Sequence, residues 1–378
     1  MYDCIVIGLG GMGSASLFEL SSKGLDVLGI EQFEIGHDKG SSHGFSRIIR
    51  LAYYEGIEYV PLVLRAHARW LQLEKIYNKR LLNITGALDI GLENSETIIG
   101  SRKACEEFDL PHEIFRGNEL SEKFPAYLLP EEYFSVFQKD GGFLVPESCI
   151  NMYVNESINN GADVKQNCKV FNWESDGNII TVFTSDGNFK TKKLVFTAGA
   201  WTGIIENKMS NILTPERQVV SWFKPVSPEN YNVDKFPVFN MEVPEGRYYG
   251  FPIHHYEGMK IGRYGHLEEK INPDLINREI TKLDISTLRV PMDKYFQSTS
   301  TEPLFSQVCI FTNTPDSHFV LDYLPGNDNV FIASGFSGHG FKFASVIGEL
   351  ISDLIVDGGT EFDLGLFSLD RFKLNKTY

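Results

Sequence analysis

The sequence has few cysteines and no long apolar run, and both shortages restrict its class. Its five cysteines are Cys4, Cys105, Cys149, Cys168 and Cys309. They form an odd set without metal-type spacing, so we expect free thiols of a reducing compartment and no bound metal. No segment reaches the ~20 apolar residues of a membrane-spanning helix. The first residues contain Asp3 and no basic segment, which favours a strand over a signal peptide. We therefore expect a cytoplasmic protein.

Positive charge is also in short supply. The chain has 35 Lys and Arg against 50 Asp and Glu, for a net charge of −15, and the acidic residues are scattered. This balance argues against a nucleic-acid partner and against binding to an anionic membrane surface. It leaves open an anionic substrate, because a few local cations can reverse the sign inside a pocket. A chain of 378 residues is too long for one ordinary core, so we expect two domains.

The first thirty residues have the pattern of a strand–helix–strand unit. Residues 4–7 are a short β-branched run suited to a buried parallel strand. A helix is expected from about residue 12 to 23, where Gly24 can end it. Residues 26–30 predict the second strand, and Glu31 follows it.

A glycine motif joins the first strand to the helix. Gly8, Gly10 and Gly13 fit G-x-G-x-x-G, the dinucleotide-binding pattern. These glycines permit a tight turn, a close approach of backbone to a pyrophosphate, and close packing of helix on strand. Glu31, at the end of the second strand, can accept hydrogen bonds from ribose hydroxyls. The motif alone fits FAD or NAD, whereas its position and the discontinuous layout of the chain favour FAD.

The remaining patterns alternate between the two expected domains. Helices are predicted near residues 60–76, 148–160 and 342–356, and Asp186-Gly187 predicts a hairpin. The alternating, aromatic-rich residues 216–316 predict an antiparallel sheet. We therefore expect a mixed α/β fold, in which a Rossmann-like FAD-binding domain is interleaved with a substrate domain on a large antiparallel sheet. The FAD-binding domain is assigned to residues 1–82, 145–215 and 317–378, and the substrate domain to residues 83–144 and 216–316.

Five segments together resemble one family across essentially the whole chain. They are GLGGMG at 8–13, SSHGFSRIIRLAYYEG at 41–56, YYGFP at 248–252 with GMKIG at 258–262, VCIFTNTPDSHF at 308–319 and GFSGHGFKFASVIGE at 335–349. Their order and spacing are similar to those of the monomeric sarcosine oxidase and N-methyltryptophan oxidase family. The resemblance implies an FAD enzyme that oxidises the C–N bond of a small secondary amino acid.

The resemblance also implies how the cofactor is held. Cys309 matches the cysteine that carries the flavin through its 8α-methyl group, a reaction that needs a thiolate; the other interpretation is a buried strand cysteine that only packs. The remaining cofactor-binding residues that it implies are Ser42, His43 and Arg47 around the isoalloxazine, Val170, and Gly338, Gly340 and Lys342 in the last turn.

Four further residues acquire catalytic roles from the resemblance. Arg50 and Lys342 match the pair that binds the substrate carboxylate, for which a guanidinium fork is well suited. Lys260 matches the lysine beneath the flavin that promotes reaction with O2. Tyr249 matches a tyrosine on the substrate side of the ring. Strand alternation groups Lys260 with Gly262 on one face, and the sequence leaves open whether that face is solvated.

The chain departs from the sarcosine oxidase pattern at three positions. The histidine expected four residues after Lys260 is replaced by Tyr264, and His266 is the second candidate for its role. Phe311 stands where a tyrosine is usual, and Asn240 where the sarcosine enzyme has methionine. These changes favour an N-alkyl or cyclic secondary α-amino acid over sarcosine alone.

Several functions remain open from the sequence. The favoured one is an oxidase that acts on an amino acid such as sarcosine, reduces O2 to hydrogen peroxide and works as a monomer. N-methyltryptophan, pipecolate or a proline-type amine could replace sarcosine as the substrate. The chain could also be a flavin dehydrogenase with another electron acceptor, an NAD-dependent dehydrogenase, or a flavin-binding module without catalysis.

Overall fold

The computed structural model describes residues 1–372, which contain two large sheets, one small sheet and eight α-helices. The strands are β1 Tyr2–Ile7, β2 Val27–Ile30, β3 Arg47–Ile49, β4 Leu82–Ile84, β5 Ala87–Leu92, β6 Glu113–Arg116, β7 Tyr133–Gln138, β8 Gly142–Leu144, β9 Asp163–Lys165, β10 Val170–Ser175, β11 Ile180–Thr184, β12 Gly187–Phe196, β13 Thr214–Phe223, β14 Val238–Val243, β15 Gly246–Phe251, β16 Met259–Arg263, β17 Phe305–Asn313, β18 Val320–Leu324 and β19 Asn327–Ser334. The helices are α1 Gly11–Ser22, α2 Val60–Tyr77, α3 Glu96–Glu107, α4 Gly117–Lys123, α5 Pro146–Asn159, α6 Thr202–Ile205, α7 Lys282–Tyr295 and α8 Ala344–Val356.

The first sheet is built around a parallel centre. Its strand order is β10-β11-β12-β1-β2-β9, and β19 pairs with β12 and carries β18. The pairs of β1 with β2 and β12, and of β12 with β19, are all parallel. Parallel strands require crossover connections, here provided by α1 and by longer excursions of the chain. The opening strand–helix–strand unit is therefore confirmed.

Helix α1 is covered by other helices over most of its surface. It packs against α5 and α8, and ten of its twelve residues are buried. This explains why its sequence has little amphipathic contrast: a helix that is buried all round needs no polar face. The arrangement fixes the amino-terminal end of α1 beside the carboxyl end of β1, a central strand of the first sheet.

The second large sheet has the order β17-β13-β16-β15-β14-β5-β7-β6. All of its pairs are antiparallel except that of β14 with β5, which is parallel. The sheet is thus mixed rather than purely antiparallel, because β5 belongs to the earlier segment of the chain and docks beside β14 through a long connection. Its outer face packs on α7 around residues such as Leu288 and Met292.

A third, small sheet has the strand order β3-β8-β4. Strand β3 carries Arg47 and leads directly to Arg50, so this small sheet places two of the candidate side chains. Within residues 1–372, no helix combines the length and the apolarity that crossing a bilayer requires.

Candidate active site

A cleft runs along the carboxyl ends of the first sheet's parallel strands, where ligands commonly bind in α/β folds. Of the sequence-predicted residues, the cleft is lined by Gly8, Gly10, Glu31, Ser42, Arg47, Val170, Gly338 and Gly340. The start, middle and end of the chain therefore meet at one cavity.

The glycine motif has the geometry that a bound pyrophosphate requires. Gly8 has φ +89°, and a Cβ at Gly13 would lie 1.8 Å from the carbonyl oxygen of Gly8. The first position therefore needs glycine for its backbone, and the third for the contact of α1 with β1. Gly10 precedes α1, and a Cβ there would meet only Ser42 Oγ at 3.6 Å. Its backbone is open to the cleft beside the helix N-terminus, where anions bind.

Glu31 is buried at the end of β2, with its carboxylate beside the glycine turn. It accepts hydrogen bonds from the backbone N–H groups of Leu9 at 2.9 Å and Phe33 at 3.1 Å. These bonds fix the carboxylate in the cleft, where it can also accept bonds from a ribose. His37 Nε2 lies 3.4 Å from its Oε1.

The turn at residues 335–340, which follows β19, lines the cleft on the side opposite the glycine motif. A Cβ at Gly338 would lie 2.3 Å from the Phe311 ring, so the glycine lets this turn approach the end of β17. The hydroxyl of Thr312 is buried without a hydrogen-bond partner and lines the cleft. An unsatisfied buried hydroxyl is costly, and a polar group of a bound cofactor would satisfy it.

Cys309 lies in β17, immediately before the residues 310–312 that line the cleft. Its sulfur is 3.7 Å from Arg47 Nη2 and 3.7 Å from the carbonyl oxygen of Ser41. Arg47 Nη2 also donates to that carbonyl at 2.6 Å. Arg47 thus contacts both the sulfur and the backbone of Ser41.

Two predicted residues of the loop 41–47 take different places. Ser42 Oγ accepts a hydrogen bond from the N–H of Gly11 at 3.2 Å, which ties the loop to the start of α1. His43 is buried with Nε2 on the carbonyl of Gly40 at 3.0 Å. Burial, reinforced by the Arg47 charge, lowers the pKa of His43 to about 3, so its ring is neutral.

Lys260 is buried and directs its amine to the loop at residues 44–46. Its Nζ donates to the carbonyl oxygens of Gly44 at 2.7 Å and Ser46 at 3.1 Å, and lies over the rings of Trp222 and Phe251. Burial and then the charge of Arg47 place its pKa well below the ordinary lysine value. A solvent-facing position for Lys260 is thereby excluded.

Arg50 is buried between two aromatic rings and two carboxylates. Its guanidinium lies 4.6 Å and 4.2 Å from the ring centroids of Tyr53 and Tyr54. Nη2 donates to Glu55 at 2.5 Å, and Nε lies 3.5 Å from Asp89. Burial alone would raise the pKa of Glu55, but the adjacent Arg50 lowers it to about 2.

Lys342 approaches the other side of Tyr53. Its Nζ donates to the carbonyl oxygen of His339 at 2.6 Å and to the Tyr53 hydroxyl at 3.3 Å. Burial, followed by repulsion from Arg50, lowers the pKa of Lys342 to about 7. The structure thus brings Arg50 and Lys342 together, as expected for a carboxylate-binding pair.

Tyr249 of β15 and Tyr264, which follows β16, share this region, whereas His266 does not. The Tyr249 ring lies 5.3 Å from that of Tyr264, which in turn faces Phe311 at 5.8 Å. His266 is fully buried, and its Nε2 contacts Asp284 at 2.8 Å. The structure places Tyr264, and not His266, beside Tyr249 and Phe311, while His266 packs against α7 through Asp284.

Sequence reasoning missed several polar residues of this region. Glu55 and Tyr53 lie within the SSHGFSRIIRLAYYEG segment, and their proximity to Arg50 was a possible signal. Asp89 carried a weaker signal as an acidic residue in the apolar run ALDIGL. Its partner strand β14 is distant in sequence, so the pattern did not show what Asp89 contacts.

Comparison with known proteins agrees with this geometry. Residues 3–354 match the family model of the DAO FAD-dependent oxidoreductases. The chain is 40% identical over 376 residues to a monomeric sarcosine oxidase from Arthrobacter sp. (strain TE1826), covering 98% of this chain and 96% of that one. It is 34% identical over 374 residues to an N-methyl-L-tryptophan oxidase from Yersinia pestis (strain Pestoides F), covering 98% and 100%.

A solved structure supports the fold independently. NikD, an unusual amino acid oxidase essential for nikkomycin biosynthesis, superimposes with a TM-score of 0.83 at 19% identity, covering 97% of both chains. The expected interleaved fold is thus confirmed, and the family match confirms FAD over NAD. The chain belongs to the DAO family of FAD-dependent oxidoreductases, in the group that contains the monomeric sarcosine oxidases and the N-methyl-L-tryptophan oxidases.

Proposed function

We propose that the chain oxidises the C–N bond of a small secondary α-amino acid, either an N-methyl or a cyclic one, with O2 as electron acceptor. The convergence of Arg50 and Lys342 on Tyr53, beside the dinucleotide cleft, is the observation that carries this proposal. Two buried cations next to a flavin site select an anionic ligand. The names of the relatives, sarcosine and N-methyl-L-tryptophan oxidases, support the amine chemistry.

The residues of the cleft fit FAD. Gly8, Gly10 and Gly13 would hold the pyrophosphate at the start of α1, and Glu31 the ribose. Arg47 and the turn at Gly338 and Gly340 line the part of the cleft near Cys309. When bound, FAD supplies the oxidation of the substrate C–N bond and passes two electrons to O2 to give hydrogen peroxide.

Covalent attachment of the flavin to Cys309 is part of the proposal. The sulfur contacts the guanidinium of Arg47, a residue that lines the cofactor cleft. Acid precipitation of the purified protein should leave the yellow colour with the pellet. Cys309→Ser should release it, whereas Cys105→Ser, at a buried cysteine of α3, should not. Release of the colour from the unmodified protein would refute attachment but not the oxidase itself.

Arg50 and Lys342 are proposed to bind the substrate carboxylate. Arg50 Nη2 is held by Glu55 in this structure, so a substrate carboxylate must compete with that side chain for the guanidinium. Tyr249 and Tyr264 would form an aromatic wall beside the bound substrate. Together these contacts would orient the amine carbon toward the cofactor, and orientation of reactants is a large part of catalysis. Hydrolysis of the imine product of an N-methyl substrate then gives formaldehyde and the primary amino acid.

Lys260 is proposed to assist the reaction with O2. It is a buried amine held by two carbonyl oxygens, and in its protonated form it would stabilise negative charge that develops on oxygen. We also propose that the enzyme works as a monomer in the cytoplasm. Relatives named monomeric support the first statement, and buried free cysteines support the second.

The test is a substrate panel assayed with the holoenzyme. Sarcosine, N-methyltryptophan, pipecolate and proline should be compared for hydrogen peroxide production and for oxygen uptake. One hydrogen peroxide per substrate oxidised is the expected result. Bleaching of the flavin by substrate without peroxide would instead indicate a dehydrogenase. No bleaching by any amine under anaerobic conditions would refute the oxidation itself.

A further inference from the structure

Two carboxylates share the single guanidinium of Arg50. Nη1 donates to the carbonyl oxygen of Ala52 at 3.0 Å and Nη2 to Glu55 at 2.5 Å. Nε lies 3.5 Å from Asp89 Oδ1 without a hydrogen bond. Two acidic side chains therefore already lie beside the guanidinium before a substrate arrives. This is unexpected for a residue that is proposed to attract an anion.

Asp89 differs from Glu55 in how firmly it is held. Its Oδ2 accepts a hydrogen bond from Ser101 Oγ at 2.8 Å, and its Oδ1 from Asn240 Nδ2 at 3.2 Å. Only 3% of Asp89 is exposed. Glu55, in contrast, has one carboxylate oxygen that is buried without a partner. Asp89 is therefore held by neighbours other than Arg50, whereas the hydrogen bond of Glu55 is to Arg50 itself.

The register of the second sheet places Asp89 on the substrate side. Asn240 is opposite Tyr249 in the β14–β15 pair and opposite Asp89 in the β14–β5 pair. Side chains directly opposite one another on neighbouring strands project from the same face. Tyr249, Asn240 and Asp89 thus form a row on one face, with strand-to-strand steps of about 4.8 Å.

We propose that Asp89 is a positioning residue for Arg50: it retains the Nε edge while the Nη2 edge exchanges Glu55 for the substrate carboxylate, and its charge moderates the affinity for that anion. The inference rests on the proposed function of Arg50. Asn240 holds Asp89, so this departure from the family pattern belongs to the carboxylate anchor and not to the pocket for the substrate side chain.

The chemistry of the reaction explains why a moderate affinity for the carboxylate would be useful. The primary amino acid that is released carries the same carboxylate as the substrate. Additional affinity for the carboxylate would hold substrate and product equally, and uniform binding of this kind does not accelerate the chemical step. Burial raises the pKa of Asp89, and the adjacent Arg50 opposes that rise. A carboxylate held at the Nε edge of Arg50 keeps the anchor oriented and lets the product leave.

Asp89 also influences Lys342 across the pocket. The charged and titratable groups that face Lys342 are Arg50, Tyr53, Glu55, Asp89 and His339. Burial and Arg50 disfavour its protonated form, while Glu55 and Asp89 favour it. Removal of the Asp89 charge therefore has two separate consequences, one on anion affinity and one on the pH at which that affinity is lost.

The experiment uses the flavin-loaded enzyme, with acetate as the probe and flavin absorbance as the readout of binding between pH 6 and 9. Asp89→Asn keeps the shape of the side chain and removes its charge. Acetate should bind about tenfold more tightly to this variant at pH 6, as expected for the loss of one like charge near the anion. The loss of affinity with rising pH should begin at a lower pH than in the unmodified enzyme. Asp89→Ser removes the same charge without a buried amide, and serves if the first variant does not retain flavin.

A matched control and a second variant separate the possible failures. Ser135→Ala alters a buried hydroxyl of the same sheet, on β7, that has no hydrogen-bond partner, and should leave both quantities unchanged. If Arg50→Gln leaves acetate affinity unaltered, the proposed carboxylate site is wrong. If Arg50→Gln weakens acetate binding but the Asp89 variants match the unmodified enzyme in affinity and pH midpoint, only the role of Asp89 is overturned. A uniform weakening without a shifted midpoint also overturns it, since that would be structural damage.

Discussion

Tyr53 contacts both of the residues that are proposed to bind the substrate carboxylate. Arg50 lies over its ring and Lys342 donates to its hydroxyl, so two cations are held near one another with a phenol between them. Their mutual repulsion is relieved either by loss of the Lys342 proton or by arrival of an anion. The charge of Lys342 and the binding of a carboxylate are therefore linked.

This linkage predicts how binding depends on pH. The pKa of Lys342 is about 7 because of burial and of Arg50. A carboxylate prefers the protonated lysine, so its affinity should be highest below pH 7. It should then fall by up to about tenfold per pH unit above it. Lys342→Met should bind acetate weakly and with little pH dependence between 6 and 9. A flat profile in the unmodified enzyme would contradict the assignment.

Reduction of the flavin by substrate and its reoxidation by O2 should respond differently to a change at Lys260. Its contacts are to backbone carbonyls of Gly44 and Ser46 and not to the Arg50 region. Lys260→Met should slow reoxidation by O2 about 10²–10³-fold, the usual effect of removing one preorganised charge donor. Stopped-flow reduction of the flavin by substrate without oxygen should change far less. An equal loss in both halves would assign Lys260 to substrate binding instead.

At the scale of elements, the contact of α1 with β1 decides whether the cofactor is retained. Gly13→Ala should prevent tight flavin binding, because its Cβ would overlap the carbonyl oxygen of Gly8 and push the helix from the strand. Gly359→Ala is the matched control, since a Cβ there meets no atom within 4 Å. The measurement is the flavin content of the two purified proteins. Normal flavin content in the Gly13 variant would show that the helix can shift without loss of the site.

Helix α7 is joined to the second sheet by a buried ion-pair network. Arg217 donates to both oxygens of Asp284, and His266 contacts the same carboxylate. His266→Ala should lower the free energy of unfolding by about 1–3 kcal/mol, the cost of losing a buried hydrogen bond, as measured by urea denaturation. Its kcat and KM should stay unchanged. A fall in kcat without loss of stability would return His266 to the catalytic set.

Local elements were predictable from sequence because their signals are local. The strand, glycine turn and helix of residues 2–22 follow one another directly in the chain. The two strands of the hairpin at Asp186-Gly187 are likewise adjacent in sequence. The Asp89–Asn240 contact was not predictable, since it depends on a parallel pairing of strands 151 residues apart. The direction of Lys260 was likewise undetermined until the register of β16 against β13 and β15 was known. The domain boundaries themselves remain a prediction.

At the scale of the molecule, the cofactor should act as a structural ligand. The cleft gathers residues of both large sheets, among them Gly8 of the first and Phe311 of the second. Flavin-free Cys309→Ser protein should therefore melt at a lower temperature than the same protein with FAD. Stabilisation should grow with FAD concentration and reach about 2.7 kcal/mol at a hundredfold excess over Kd. Calorimetry with and without FAD measures this, and a melting temperature independent of FAD would show that the cleft is not its site.

The order of strands in the first sheet also governs when this protein can mature during synthesis. Strand β1 is made first, yet its neighbour β12 begins at residue 187, and β19, the partner of β12, ends at residue 334. Many multidomain chains fold their amino-terminal domain while the ribosome is still working. Here that unit stays open until residue 334 has emerged, so capture of the flavin must follow the synthesis of β19. Prematurely terminated chains should consequently be colourless and exposed to proteases.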